Sequence, residues 1–230
     1  MSWEIYRKAY KSFLQLEKSL SKNTVESYIR DLDKLINYAK ERNLAVLRVS
    51  YTDLLEFLNE ISKTGIVARS RARLISSIKS FYGYLLVEEV IEENPSELLE
   101  MPKLQKKLPD TLSIEEINKL IACIDMSMPD GLRNKAIIET MYGCGLRVSE
   151  LVELKQKQLN FNEDFIKIIG KGNKERLVPV GSVAKHLIQS YLDTDRRMLN
   201  IDAENEEYVF LNYRGTKLSR IMIFNIAKGL

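Results

Sequence analysis

An arginine and a glutamate stand three residues apart near the middle of the chain, in the stretch 143–150, GCGLRVSE. In a helix Arg147 and Glu150 share a face, so their charges can pair. A guanidinium at a helix start, beside flexible glycines and free backbone N–H groups, is equally suited to binding a phosphate. The spacing alone leaves two interpretations open, a surface ion pair or an anion site.

A second group of basic side chains surrounds a predicted turn. The stretch 170–176, GKGNKER, contains Lys171, Lys174 and Arg176 between the β-prone runs 165–169 and 176–180, which predict a hairpin. The two glycines allow the turn to approach another backbone closely. The alternatives are a solvated tip that keeps the sheet edge soluble and a tip that enters a nucleic-acid groove. No Walker A motif occurs, so ATP binding has no support.

Arginines also gather on a predicted helix at 67–87, where serines stand between them. Small hydroxyls beside long cations suit the approach to a DNA backbone, although an ordinary solvated face has the same composition. The candidate DNA contacts are Arg69, Arg71, Arg73 and Lys79 on this helix, Lys22 and Arg30 on an earlier helix, and Lys103, Lys106 and Lys107 in the segment that follows.

Several function classes find no support. With one histidine, His186, no Ser-His-Asp or Cys-His arrangement and no zinc site is expected. The aspartates at 31 and 33 lie on different helix faces and make a poor metal pair, so no metal or cofactor is predicted. The net charge of +3 is too small to indicate nucleic acid by itself. No long apolar run and no signal pattern occur, which predicts a cytoplasmic protein without a membrane partner.

Periodicity divides the chain in two. Four amphipathic helices fill the first hundred residues, and a proline-containing basic segment follows. Ser113 and Glu116 form a capping-box pattern that predicts a helix start. Helices are predicted at 113–124, 130–142, 147–155 and 183–198 and from about 219, with the hairpin and a strand at 208–211 among them. The predicted class is mainly α with a small β-sheet or hairpin.

The order of these motifs resembles the tyrosine recombinase family, and closely its Xer branch. GCGLRVSELVELK is followed by FIKIIGKGNKERLVPVG, and SRARLISSIKSFYGYLLVEEVIEENPSELLEMPK precedes them. The resemblance implies a helical, SAM-like core-binding domain at 1–102, a linker at 103–112, and the N-terminal portion of an α+β catalytic domain at 113–230.

The resemblance also implies a function. Such enzymes cut and rejoin DNA at specific sites through a phosphotyrosyl intermediate, without metal or ATP. By position, Arg147 matches the first catalytic arginine, Glu150 its supporting acid, and Lys171 the hairpin lysine that protonates the leaving oxygen. Lys174 and Arg176 become auxiliary phosphate contacts. The implied partners are a double-stranded recombination site, a tetrameric synaptic complex with copies of itself or a sister recombinase, and a DNA translocase.

One departure from the family pattern is large. The family continues with His-x-x-Arg and a later tyrosine nucleophile, but no His-x-x-Arg occurs in these 230 residues. Tyr208 and Tyr213 lie ahead of the place where it belongs. We therefore expect a chain cut short before these motifs, one that binds DNA but does not cleave it alone. The alternatives are a non-catalytic DNA-binding accessory protein of the same ancestry and a helical interaction protein whose basic patches are solvated faces.

Overall fold

The computed structural model describes residues 2–104, 110–170 and 174–230. The chain forms two compact units, Met1–Leu108 and Pro109–Leu230. Each unit has its own cluster of buried apolar side chains. Within the described residues, no helix is both long and apolar enough to cross a bilayer.

The first unit is helical. Its helices are α1 (Trp3–Leu16), α2 (Lys22–Glu41), α3 (Tyr51–Lys63) and α4 (Ala68–Val87). Ser50 caps α3 by accepting from the backbone N–H of Asp53, whose carboxylate accepts from the N–H of Ser50 in return. Ser21 caps α2 by accepting from the backbone N–H of Thr24.

Aromatic side chains fill the centre of the first unit. Tyr10 of α1 packs edge-on against Phe81 of α4, with ring centroids 5.3 Å apart. Leu32 of α2 and Leu54 of α3 are fully buried in the same cluster. Burial of this kind contributes roughly 1.5–3 kcal/mol for each large apolar side chain, so the apolar stripes of the four helices hold the unit together.

The second unit mixes helices with a small sheet. Its helices are α5 (Ile114–Ala122), α6 (Gly131–Gly143), α7 (Val148–Val152), α8 (Ser182–Asp193) and α9 (Arg220–Lys228). The predicted capping box is confirmed, because Ser113 accepts from the N–H of Glu116 and Glu116 accepts from that of Ser113.

The sheet has three antiparallel strands in the order β1 (Leu159–Asn160), β2 (Phe165–Ile169) and β3 (Glu175–Pro179). In β2, Ile166 and Ile168 are buried, and the residues that alternate with them, Phe165, Lys167 and Ile169, are more exposed, as expected for a strand with one face on the core. Together with the helices, this sheet confirms the predicted class, mainly α with a small β-sheet.

Three predicted elements differ from the structure. The helix expected over 183–198 ends at Asp193, and Asp195–Met198 form a separate 3-10 helix. The helix expected over 147–155 ends at Val152, because Leu154 turns its carbonyl to the N–H of Val209 and Gln156 donates to the carbonyl of Glu207. The strand expected at 208–211 is reduced to isolated bridges of Tyr208 and Leu211. The N–H of Leu211 donates to the hydroxyl of Tyr191, whereas in a regular strand it would donate to a backbone carbonyl of the neighbouring strand.

Candidate functional site

A glycine turn joins α6 to α7 and sets the position of Arg147. Gly145 has a φ of +58°, a left-handed conformation that glycine adopts without steric cost. The N–H of Leu146 donates to the carbonyl of Met141 and closes the end of α6. The chain then extends at Arg147, which immediately precedes α7. The turn therefore places the guanidinium at the start of a short helix, as the sequence predicts.

The carboxylate of Glu150 is the centre of the site. Its side chain is only 5% exposed, whereas the side chain of Arg147 is 74% exposed. Nη1 of Arg147 donates to Oε1 of Glu150 at 3.0 Å, and the backbone N–H of Arg147 donates to Oε2 at 2.8 Å. Glu150 thus holds both the backbone and the side chain of the arginine.

Arg176 of β3 makes the strongest contact with the same carboxylate. Its Nη1 donates to Oε1 at 2.7 Å and its Nη2 donates to Oε2 at 2.8 Å, a two-point bond between the two groups. The hydrogen bonds from Arg176 are the main reason that the pKa of Glu150 falls from 4.5 to about 2; burial opposes the shift, and the bonds from Arg147 add to it. Glu150 is therefore ionised at neutral pH.

Of the two remaining predicted hairpin cations, the structure describes only Lys174. Lys174 is exposed, and its carbonyl accepts the N–H of Gly170 at 2.7 Å, which closes the base of the turn. Lys171 lies outside the described residues.

In the first unit, the predicted cations differ in their exposure and contacts. Arg73 and Lys79 are engaged: Arg73 donates to the buried carboxylate of Asp31, and Nζ of Lys79 donates to the carbonyl of Glu97 at 2.9 Å. Arg71 is half-buried, and its Nε has no hydrogen-bond partner among the described residues. Lys22, Arg30, Arg69 and Lys103 are exposed, as Arg73 is, while Lys106 and Lys107 lie outside the described residues.

The sequence interpretation missed two ionic contacts. Asp31 was considered only as a metal ligand, although it lies four residues before Leu35 and seven before Tyr38, both of them buried. That spacing marks a buried acid that needs a cation. Arg176 alternates with Val178 in β3 and with the buried Val180 just after its end, which marks a guanidinium on the apolar face of the strand.

The chemistry that this arrangement offers is anion binding. The guanidinium of Arg147 is exposed, planar and permanently charged, and its hydrogen bond to Glu150 fixes its orientation. Phosphate oxygens match the donors of a guanidinium in geometry and charge. Among the described residues, no cluster of three or more His, Cys, Asp or Glu side chains is arranged to hold a metal ion.

Family models match both units of the chain. The phage integrase family matches residues 110–230, and the N-terminal SAM-like domain of phage integrases matches residues 8–89. A lambda integrase tetramer bound to a Holliday junction has a similar fold, with a TM-score of 0.71 at 16% identity, over 99% of this chain and 66% of that chain.

Curated relatives are more similar in sequence. The tyrosine recombinase XerD of Oceanobacillus iheyensis is 39% identical over 95% of this chain and 74% of its own length. The XerD protein of Listeria innocua is 38% identical over the same shares of the two chains. With this similarity along both units, the chain belongs to the tyrosine recombinase, or phage integrase, family, as a relative of its Xer-type members.

Proposed function

We propose that this chain is part of a Xer-type site-specific DNA recombinase, and that it supplies the DNA-binding surface and the first catalytic arginine. The observation that carries the proposal is its 39% identity to a tyrosine recombinase XerD over 95% of the chain. The exposed guanidinium of Arg147, oriented by a buried carboxylate, supports the assignment of a phosphate-binding role.

The proposed reaction is strand exchange through a phosphotyrosyl intermediate. Arg147 holds a non-bridging oxygen of the scissile phosphate and stabilises the charge that builds up in the transition state. Glu150 orients Arg147. Lys171, which follows Gly170 in the sequence, protonates the leaving 5′ oxygen. The covalent link to a tyrosine conserves the energy of the phosphodiester bond, so rejoining needs no nucleotide.

In the first unit, the exposed cations contact the DNA backbone. Arg69, Lys22, Arg30 and Lys103 are exposed and therefore accessible to phosphate groups. The partners proposed for the complete reaction are a duplex recombination site and a synaptic tetramer formed with copies of this chain or a sister recombinase. A translocase that brings the sites together is a further proposed partner.

These 230 residues bind DNA without cutting it under this proposal. They contain no His-x-x-Arg motif, so the second phosphate-binding arginine of the family pattern is absent from them. A second candidate is a DNA-binding accessory protein of the same ancestry, which would bind phosphates through the same exposed cations without cleaving DNA. Reading the coding region beyond the codon for Leu230 separates the two. A continuation through His-x-x-Arg to a tyrosine supports the recombinase, and a stop codon supports the accessory protein.

A salt titration tests the binding itself. The purified chain is mixed with a labelled random-sequence duplex, and the affinity is followed by fluorescence anisotropy between about 50 and 200 mM salt. The logarithm of the binding constant should fall linearly with the logarithm of the salt concentration, because bound cations displace counterions from phosphates. A slope near zero would contradict the proposal.

An adduct assay tests the absence of cleavage. Duplexes enriched by repeated binding to the chain are nicked and incubated with it, and the products are separated in SDS. We expect no protein–DNA adduct. A stable adduct would show that a nucleophile is present in these residues and would refute this part of the proposal.

A further inference from the structure

The strand register brings Arg176 to the buried side of the sheet. Arg176 of β3 lies opposite Ile168 of β2, and Val178 lies opposite Ile166. Directly opposed residues of an antiparallel pair project to the same face, and both isoleucines are buried. The guanidinium of Arg176 therefore approaches Glu150 from the core side of the hairpin, whereas the guanidinium of Arg147 is largely in solvent.

The packing around this contact fixes it in place. Arg176 bonds both carboxylate oxygens of Glu150, at 2.7 and 2.8 Å. A Cβ placed on Gly170 would lie 3.5 Å from Nη1 of Arg176 and 3.8 Å from Oε1 of Glu150, so the base of the turn packs against the ion pair. Two nitrogens of the Arg176 guanidinium each bond one oxygen of Glu150, and this two-point contact keeps the carboxylate in one orientation.

The charges of the three side chains do not cancel. Two guanidinium groups share one carboxylate, which leaves a net charge of +1 on the cluster. Arg176 takes the two-point bond, and the bond from Arg147 through Nη1 is the single longer one at 3.0 Å. Without Arg176, the side chain of Arg147 could bond both oxygens of Glu150, and the charges of these two side chains would cancel.

From these contacts we infer that Arg176 is a positioning residue that neutralises Glu150. The guanidinium of Arg147 then stays directed outward, and its positive charge remains available to a DNA phosphate. The inference rests on the proposed function, in which Arg147 binds phosphate. It replaces the expectation that Arg176 is itself an auxiliary phosphate contact. Arg176 acts on the DNA only through the carboxylate and Arg147.

A double-mutant cycle separates the two roles of Arg176. The variants R147A, R176A and the double variant are titrated with the same random-sequence duplex at several salt concentrations. Each single substitution should lower the affinity by about tenfold and the salt slope by about one. The double variant should lower the salt slope by no more than either single variant, because all three remove the same phosphate contact. A slope lowered by about two would overturn the inference, since it indicates two independent phosphate contacts.

A variant that removes the charge of Glu150 distinguishes a positioning role of Arg176 from a purely structural one, through its affinity for DNA. In R176A the unneutralised carboxylate draws Arg147 inward, so a further E150Q substitution should release it. The affinity of E150Q/R176A should exceed that of R176A by about threefold or more. Failure of this rescue in a variant that still unfolds cooperatively would overturn the inference.

The outcome for R147A distinguishes this inference from the proposed function. If R147A binds DNA as tightly as the wild type, Arg147 does not contact phosphate, and the proposed function and the inference fail together. If R147A binds weakly but E150Q/R176A is not rescued, the inference alone fails.

Discussion

Asp31 in α2 and Arg73 in α4 form an ion pair whose acid is fully buried. Nε of Arg73 donates to Oδ2 of Asp31 at 2.8 Å and Nη2 donates to Oδ1 at 3.2 Å, while Nζ of Lys34 lies 3.3 Å from Oδ1. The Asp31 side chain has 0% exposure, and that of Arg73 has 41%. A buried carboxylate is tolerated only when its oxygens are bonded, so this contact joins the two helices.

The Arg73 contact predicts different effects for two arginines of α4. R73A should lower the free energy of unfolding by about 1–3 kcal/mol, because Asp31 loses its main partner and stays buried. R69A removes an exposed arginine four residues earlier and should change stability by less than about 0.5 kcal/mol. Urea unfolding followed by circular dichroism measures both. Equal losses would show that the Asp31 contact contributes nothing specific.

The same R73A substitution in the D31N background tests whether the charge of Asp31 causes the loss of stability. In D31N the carboxylate charge is gone, so the further change R73A should cost less than it does in the wild type. If the cost of R73A is the same in both backgrounds, it comes from lost packing of the arginine stem and not from the ion pair.

Two buried tyrosines should respond in opposite ways to loss of the hydroxyl. The hydroxyl of Tyr82 is buried and has no hydrogen-bond partner among the described residues. The hydroxyl of Tyr191 accepts the N–H of Leu211 at 3.2 Å. Y82F should therefore raise the free energy of unfolding by up to about 1 kcal/mol, and Y191F should lower it by about 1–3 kcal/mol. Thermal unfolding of the two variants checks this, and a destabilised Y82F would contradict it.

Local sequence patterns predicted local structure well. The pair Ser113 and Glu116 marks a helix start because each side chain satisfies a backbone group within one turn. The apolar stripe of α4 and the alternation in β2 are equally local signals. They depend on residues that are neighbours in the sequence, so a single sequence is enough to find them.

Contacts between distant residues were not predictable in the same way. The end of α7 is set by bonds from Leu154 and Gln156 to a segment about fifty residues later. The contact between Arg176 and Glu150 spans 26 positions, and the one between Arg73 and Asp31 spans 42. Sequence spacing indicates that such buried charges need partners but not which partners they find.

The low pKa of Glu150 predicts how the free energy of unfolding depends on pH in the acidic range. The carboxyl has a pKa of about 2 in the folded chain against 4.5 unperturbed, so it stabilises the fold above pH 4.5 and the contribution is lost as the pH falls through about 2. E150Q should therefore lower the free energy of unfolding by about 1–3 kcal/mol at neutral pH. The difference from the wild type should shrink through this acidic window.

A neighbouring acid provides the control for this pH experiment. Glu153 lies three residues after Glu150, and its 57%-exposed side chain pairs with Lys217 on the surface. E153Q should differ from the wild type by less than about 1 kcal/mol at neutral pH, because exposed ion pairs contribute little. If E150Q costs no more than E153Q, the buried carboxylate is not the stabilising group that its contacts indicate.

The phosphate-binding role of Arg147 can be tested against an arginine of equal exposure. Arg147 and Arg197 have side chains 74% and 72% exposed, and each donates to one nearby carboxylate at 3.0 Å. R147A should weaken binding of a random-sequence duplex by about tenfold and lower the salt slope by about one, because one phosphate contact is lost. R197A removes the same charge from the short 3-10 helix that follows α8, and it should leave the salt slope unchanged. Equal effects of the two substitutions would mean that net charge, and not the site built around Glu150, determines DNA binding.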